Sequence, residues 1–342
     1  MSLYGGLLSN KAFNSCISAS GGDEVGTFYS GSQVWRYHKF TTLGTGSFTI
    51  HSGSTDNARV FLVGGGGGGG RTINTNQPSG LEAEDVAGGG GAGGVLLLEY
   101  SLNPRTYDLY VGDGGDENEN GEDTQMYPLY DTNDQIGEWF PTSSVLTAEG
   151  GGHGAYVTYF ATGWPTYKGG VKASGGGSGG GGVFNTVVKL PDASRVRVDF
   201  PQGGGRTGQG NDGGYNTPND PDGGGVSQVR VSGAGGKGSQ GEDCGWVFSS
   251  QYLGKAGEGK LYNVDGTPTY YAAGGASLFK GIWEPADNGN LSIGSGGWGN
   301  SDSSEPSPTN QERKGRQGII VIMYPICEQE LTDNCTQKIH QR

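Results

Sequence analysis

Apolar residues in this chain come in short bursts that end in glycine. Val60-Phe61-Leu62-Val63 runs straight into seven consecutive glycines, residues 64–70, and a second glycine block, residues 88–94, opens into Val95-Leu96-Leu97-Leu98. Residues 106–111, Thr-Tyr-Asp-Leu-Tyr-Val, alternate as a half-buried strand does. Apolar and β-branched runs bounded by turn residues predict further strands at 46–50, 183–190, 195–200, 226–231 and 319–324. No stretch carries the 3.6-residue apolar period of an amphipathic helix over a credible length. The pattern predicts an all-β chain with no substantial α-helix, its strands joined by glycine.

Glycine has the largest backbone entropy to lose on ordering, so a run of seven ordinarily reads as a linker. These runs are flanked by β-type residues instead of polar linker, and they recur at 150–154, 175–182, 203–205, 223–225, 233–238 and 294–299. Polyproline II geometry gives such a run a structural use. It has three residues per turn and no internal hydrogen bonds, so the backbone groups point outward, and only glycine lets neighbouring helices approach closely enough to pair them. Seven residues would span roughly 20 Å. Collagen is excluded, because the blocks lack a sustained Gly-X-Y period and proline is sparse. The expected fold is therefore all-β with stacked polyglycine II helices forming a sandwich. Gly64, Gly67, Gly70, Gly88, Gly91, Gly94, Gly175 and Gly182 are its structural glycines, and 64–70, 88–94 and 175–182 its extended rods.

Composition supports an ordered but unconventional chain. Gly accounts for 72 of 342 residues and hydrophobic residues for only 32%, yet aromatics reach 10%, which disordered tails lack. The net charge of −13 argues against nucleic acid or an anionic membrane as partner, since both require clustered Lys and Arg. No apolar run approaches the length of a membrane span, and residues 1–8 do not read as a secretory signal. Cys16, Cys244, Cys327 and Cys335 form no CxxC pair and have no His at zinc spacing. Cys327 and Cys335 could close a short loop, but free thiols for at least two of the four are the expectation.

Motifs with catalytic or metal-binding chemistry fail on context. Gly176-Gly177-Ser178-Gly179-Gly180 matches G-x-S-x-G, but a nucleophile elbow needs a strand before it and a helix after it. Gly236-Lys237-Gly238 lacks the Ser or Thr of a phosphate loop. Asp116-Glu117-Asn118-Glu119-Asn120-Gly121 reproduces the first half of a calcium loop, but Tyr127 stands where the bidentate Glu belongs, so an acidic turn is expected. His153, inside a glycine block, is expected to hydrogen-bond neighbouring backbone. No catalytic residue, cofactor or metal is assigned.

In order, the strand 46–50, Val60 to Val63 into polyglycine, residues 107–115 as YDLYVGDGG, a later Gly-Gly-Gly-His-Gly, GAGGKG at 233–238 and a closing GIIVIMYP at 318–325 resemble the glycine-rich domain of phage tail-fibre and related surface proteins. The resemblance spans about residues 38–325. It extends in principle to the tip adhesins of T-even-like phages, in which loops between stacked polyglycine helices bind the bacterial receptor. Residues 1–36 lie outside the resemblance and read as an attachment or packing segment, followed by a glycine-rich β/polyglycine domain at 37–325 and a tail at 326–342 that also departs from the pattern. The resemblance implies a non-enzymatic virion protein, exposed on the particle surface with a tail fibre favoured. Its partners would be other virion proteins and a bacterial outer-membrane protein or glycan, with self-association left open. The alternative is a structural fibre, capsid-decorating or adaptor protein that binds no receptor.

A glycine rod has no side chains with which to discriminate, so recognition is expected in the joining segments, where rigid aromatics give contact area at low entropy cost. The candidates are Tyr127, Tyr130, Trp139 and Phe140 in one segment and Tyr156, Tyr159, Trp164 and Tyr167 in another, with Trp139 and Trp164 as anchors. A third aromatic group, Tyr262, Tyr270, Tyr271, Phe279 and Trp283, is weighed beside them. About half of all these aromatics are expected to cap the glycine bundle as small cores.

Overall fold

Among the described residues strands and glycine segments alternate, and the glycine segments either cross between two ends of the molecule or double back. The computed structural model describes residues 16–75, 86–128, 145–160, 167–189, 195–214, 230–243, 253–279, 282–283, 285–289, 291–301 and 309–327. The chain begins with β1 (Ser18–Ser20), β2 (Glu24–Ser30), β3 (Gln33–Phe40) and β4 (Gly44–Ser52). Then β5 (Thr55–Val63) feeds residues 64–70, which cross to β6 (Arg71–Thr75), and β7 (Val86–Ala87) returns through 88–94 to β8 (Val95–Leu102) and β9 (Arg105–Val111). A turn-bearing excursion precedes β10 (Thr124–Pro128) and β11 (Leu146–Ala148), and residues 149–155 cross again to β12 (Tyr156–Phe160) and β13 (Tyr167–Val171).

Next come β14 (Val183–Lys189), β15 (Arg195–Phe200) and β16 (Arg230–Val231), with a glycine excursion at 203–214 following β15. The hairpin of β17 (Lys260–Tyr262) and β18 (Thr269–Tyr271) is followed by β19 (Leu278–Phe279), β20 (Ile282–Trp283) and β21 (Asn300–Ser301). One helical turn, α1 (Asn310–Arg313), leads back to β22 (Ile319–Pro325). Thr309 and Glu312 cap it reciprocally: Thr309 N–H donates to Glu312 Oε2 (2.7 Å) and Glu312 N–H to Thr309 Oγ1 (3.3 Å).

At the first end two five-stranded sheets, ordered β1-β4-β9-β10-β11 and β2-β3-β22-β5-β8, face each other. Strand periodicity explains which residues meet. On β22, Ile320, Ile322 and Tyr324 turn into the core between the sheets, with Phe48, Ile50, Val60, Leu62, Tyr107, Leu109 and Met126. Ile319, Val321 and Met323 turn the other way, onto a second core with Phe61, Val63, Trp35, Tyr37 and the β17–β18 hairpin. Both faces of β22 are covered, which is why its sequence is continuously apolar. The N-terminal stretch is part of this sandwich from Cys16 onward. Trp35 and Tyr37 serve one core and Phe40 the other, and a Cys16–Cys327 disulfide ties the two ends of the described chain together. Cys244 and Cys335 lie outside the described residues.

At the second end β20-β19-β7-β12-β6-β21, with β13 on β12, make one sheet, and β15-β14-β16 another. They meet over a small core of Val86, Ala155, Ala173, Val183 and Val231. Of the strand predicted at 226–231, the described part is β16, Arg230–Val231.

Between the ends, residues 64–70 change hydrogen-bond partner with a period of three. Gly64, Gly67 and Gly70 N–H donate to Gly94, Gly91 and Gly88 (2.9, 2.9 and 2.8 Å). Gly65 and Gly68 donate to Glu122 and Glu119, and Gly66 and Gly69 to Arg316 and Arg313, at 2.8–3.0 Å. Their carbonyls complete the set. Gly65 and Gly68 accept from Gly151 and Gly154, Gly66 and Gly69 from Gly115 and Asn118, and Gly67 and Gly70 from Gly297 and Asn300. Six stretches of backbone thus surround one segment, whereas a β-strand pairs with two.

Close approach, not unusual torsion, demands glycine here. None of the glycines at 64–70 or 88–94 has a positive φ, but a Cβ on Gly67 would overlap the carbonyl oxygen of Gly152, and one on Gly91 that of Ser178. Residues 175–182 differ from the single rod expected of them. The chain bends at Gly177 and Ser178, so that Ser174 and Gly177 donate to His153 and Gly150, while Ser178 and Gly181 donate to Ala92 and Gly89. The two arms run in opposite directions.

Candidate functional site

The two aromatic segments singled out from the sequence are carried on opposite ends of the molecule. Tyr127 lies on β10, which pairs with β9 and β11 in the first-end sandwich. Its neighbour Met126 fills the core, so Tyr127 faces outward and its hydroxyl donates to Gln125 Oε1. Tyr156 begins β12 at the second end, half-buried, with its ring 6.3 Å from that of His153. Tyr159 pairs through its backbone with Lys168 on β13 and Asn74 on β6, and Tyr167 pairs with Phe160. Tyr130, Trp139, Phe140 and Trp164 lie outside the described residues. The connection 129–144 joins β10 to β11 at the first end, whereas 76–85, 161–166 and 190–194 join second-end strands.

The third aromatic group divides between packing and exposure. The rings of Tyr262 and Tyr271 each lie 5.0 Å from that of Phe61, tilted and edge-on respectively, and both pack in the second core of the sandwich. Their burial holds both phenols above the usual tyrosine range. Tyr270, paired with Leu261 across the hairpin, is exposed together with it. At the second end, Trp283 on β20 lies 6.4 Å from Trp298 and donates its indole N–H to Gly299 O (2.9 Å). Beside it Ile282 is exposed, and Val171 on β13 is exposed on the same sheet.

Residues 116–121 form a structural turn. Asn118, at φ 67°, accepts from Arg71 N–H through Oδ1 (2.7 Å), and Asn120 Oδ1 accepts from His153 N–H (3.0 Å) and Ser174 Oγ. Glu117 binds Arg71 (3.2 Å), Arg313 (3.6 Å) and the Asn300 amide (3.1 Å). The oxygens diverge onto separate partners, and no group of three or more His, Cys, Asp or Glu among the described residues is arranged to hold a metal. Ser178 is fully buried among glycine backbones, with its Oγ accepting from Asn211 N–H (3.4 Å). His153 Nδ1 sits 3.0 Å from Gly154 O.

Charged groups clamp loops onto the sandwich. Lys39 reaches from β3 to Asp265 of the β17–β18 hairpin (2.6 Å) and to Glu24 (3.0 Å). Partial burial disfavours its charge, but the two carboxylates prevail and raise its pKa. Asp23 accepts from the backbone and hydroxyls of Thr41 and Thr42, and its pKa is lowered, first by the Thr41 N–H. His38 is buried inside the core. Its Nδ1–H donates to Gly21 O (2.7 Å), which leaves Nε2 to accept from the Tyr324 hydroxyl (3.1 Å). Desolvation pushes its pKa down, outweighing the Gly21 carbonyl.

Two clefts among those formed by the described residues gather polar and charged side chains. One, of about 530 Å³ beside the disulfide, is walled by Gln33, Trp35, Asn57, Arg59 and Glu99, with the Arg59 guanidinium 4.6 Å over the Trp35 ring. The other, of about 440 Å³, lies between α1 and residues 291–293. Neither was legible in the sequence, because each gathers residues far apart in the chain. Among the described residues no helix is long and apolar enough to cross a membrane.

A family model described as glycine-rich domain matches residues 41–325. The chain belongs to this family. No curated protein and no solved structure matches it.

Proposed function

We propose that this glycine-rich-domain protein is a non-enzymatic attachment module of a phage virion, a tail-fibre tip or receptor-binding adhesin exposed on the particle surface. The observation that carries this reading is the polarity of the molecule. The Cys16–Cys327 disulfide closes the first-end sandwich, while the strands that flank positions 76–85, 161–166 and 190–194 belong to the sheets of the opposite end. The first end joins other virion proteins, and the second presents recognition segments to a bacterial outer-membrane protein or glycan. The disulfide agrees with a life in an oxidising, extracellular setting.

In the same reading the crossing segments are polyglycine II helices. The three-residue alternation of partners around residues 64–70, with six neighbouring stretches, supports that geometry over a β-strand. Such a layer is rigid enough to hold joining segments still, which lowers the entropy cost of binding.

The division of ends makes the two aromatic anchors unequal. Trp164→Ala, in the connection from β12 to β13, is expected to weaken adsorption of particles to host cells while leaving assembly intact. Trp139→Ala, in the first-end connection, is expected to impair incorporation into the particle. Lost assembly with normal adsorption in the Trp164 variant would overturn the assignment of ends and favour a structural fibre or adaptor.

A further inference from the structure

We infer that the cleft between α1 and residues 291–293 is a binding site for a small organic carboxylate, about one sugar ring in size, with Arg316 as its anion-binding group. The inference is independent of the attachment reading.

The cleft is lined by Leu291, Ile293, Gln311, Lys314, Arg316 and Gln317, beside Asp113 and Gly315, and its volume of about 440 Å³ is that of a small-ligand site. Arg316, on the cleft wall, has a buried Nε with no hydrogen-bond partner, and so have Ser292 Oγ and Ser295 Oγ in the adjoining turn, which do not line the cleft. Ser295 and Arg316 are adjacent through backbone, since Arg316 N–H donates to Ser295 O (2.8 Å). A native fold rarely leaves a buried donor unpaired, and one carried by a residue of a cleft wall marks where a ligand would supply the missing acceptor.

The charges select the ligand class. Lys314 is already neutralised, by Asp113 at 2.9 Å and Asp116 at 3.4 Å, and its pKa is raised, first by the hydrogen bond to Asp113. Among the described residues Arg316 has no carboxylate within ion-pair distance, while its neighbours Lys314 and Arg313 do. One free guanidinium matches one negative charge, and its planar fork matches a carboxylate. The Gln317 amide N–H donates to Thr41 O (2.7 Å), which leaves its carbonyl for a hydroxyl, and the Gln311 amide is exposed. Leu291 and Ile293 supply the apolar wall that a naked tetrahedral oxoanion would not use. Leu291 itself is held at φ 57°, a conformation a leucine rarely adopts.

The test is calorimetric titration of the full chain with glucuronate, glucose and inorganic phosphate. Saturable binding of glucuronate is expected, with none of glucose and at least ~10-fold weaker binding of phosphate. Arg316→Gln should lower glucuronate affinity by at least ~10-fold. Leu291→Glu, which keeps Arg316 and places a negative charge at the wall, should do the same and serves alone if the Arg316 variant does not fold. Absence of saturable binding, equal binding of phosphate, or unchanged affinity in the folded variants would overturn the proposal.

Discussion

In the first-end sandwich, Phe48 and Tyr107 pack their rings 6.2 Å apart in a core of apolar side chains, as most β-proteins do. A few residues away, Gly67 has no side chain at all, yet it is equally enclosed, with its N–H on Gly91 O (2.9 Å) and its carbonyl accepting from Gly297 N–H (2.8 Å). The sandwich is stabilised by removing apolar surface from water and tolerates some repacking. The glycine layer buries backbone against backbone, so its stability rests on satisfied hydrogen bonds and tolerates no added volume. The two regions share strands: β5 contributes Val60 and Leu62 to the core and continues directly as residue 64 of the layer.

The largest effect is expected from placing a side chain in the layer. Gly67→Val or Gly91→Val should cost roughly 3 kcal/mol or more, because a Cβ overlaps neighbouring carbonyl oxygens and separates buried amides from their partners. Gly31→Ala is the matched control: it has open space around it and a φ of +63°, so the cost should be near ~1–2 kcal/mol. Equal thermal melts for Gly67→Val and wild type would break the comparison at its centre.

Truncation of the sandwich core comes next. Phe48→Ala, which empties a fully buried position, is expected to cost about 3–5 kcal/mol. Hydrogen exchange sharpens the contrast. Amides of residues 64–70 should lose protection only as far as global unfolding requires, whereas those of β4 and β9 should open by local routes as well. Uniform loss across both regions would show them to be one cooperative unit.

The smallest effect concerns pH. His38 is buried neutral with a lowered pKa, so below its ordinary value of 6.5 the unfolded chain takes up a proton that the folded chain refuses. Stability is fully present above that value and declines as pH falls from it toward the folded pKa. His38→Asn should flatten this slope in denaturant titrations between pH 7 and 5. A wild-type slope that persists unchanged in the variant would place the titrating group elsewhere.

Local pattern carried much of the fold. The alternation in residues 106–111 became β9, the continuous apolar run near 319–324 became β22, and 195–200 became β15 with its bounds as read. Residues 16–40 were harder to read, because Arg36 and His38 interrupt the apolar run of β3. Arg36 shares the strand face of His38 but is only half-buried, and His38 is buried only because Tyr324 and Gly21 satisfy both its nitrogens. The bend at Ser178 was equally hidden, since a glycine run carries no side-chain signal for where it reverses.

The sequence by itself determined that this protein is mainly β and glycine-rich, because periodicity and flanking residues act within a few positions of one another. Only the tertiary structure decided that six stretches surround residues 64–70, that Cys16 pairs with Cys327, and that the segments after Tyr127 and Tyr156 leave from opposite ends. The reason is physical. Backbone hydrogen bonds between glycine segments are chemically identical at every position, so which segment lies beside which is set by the strands at their ends and by the cores those strands must fill.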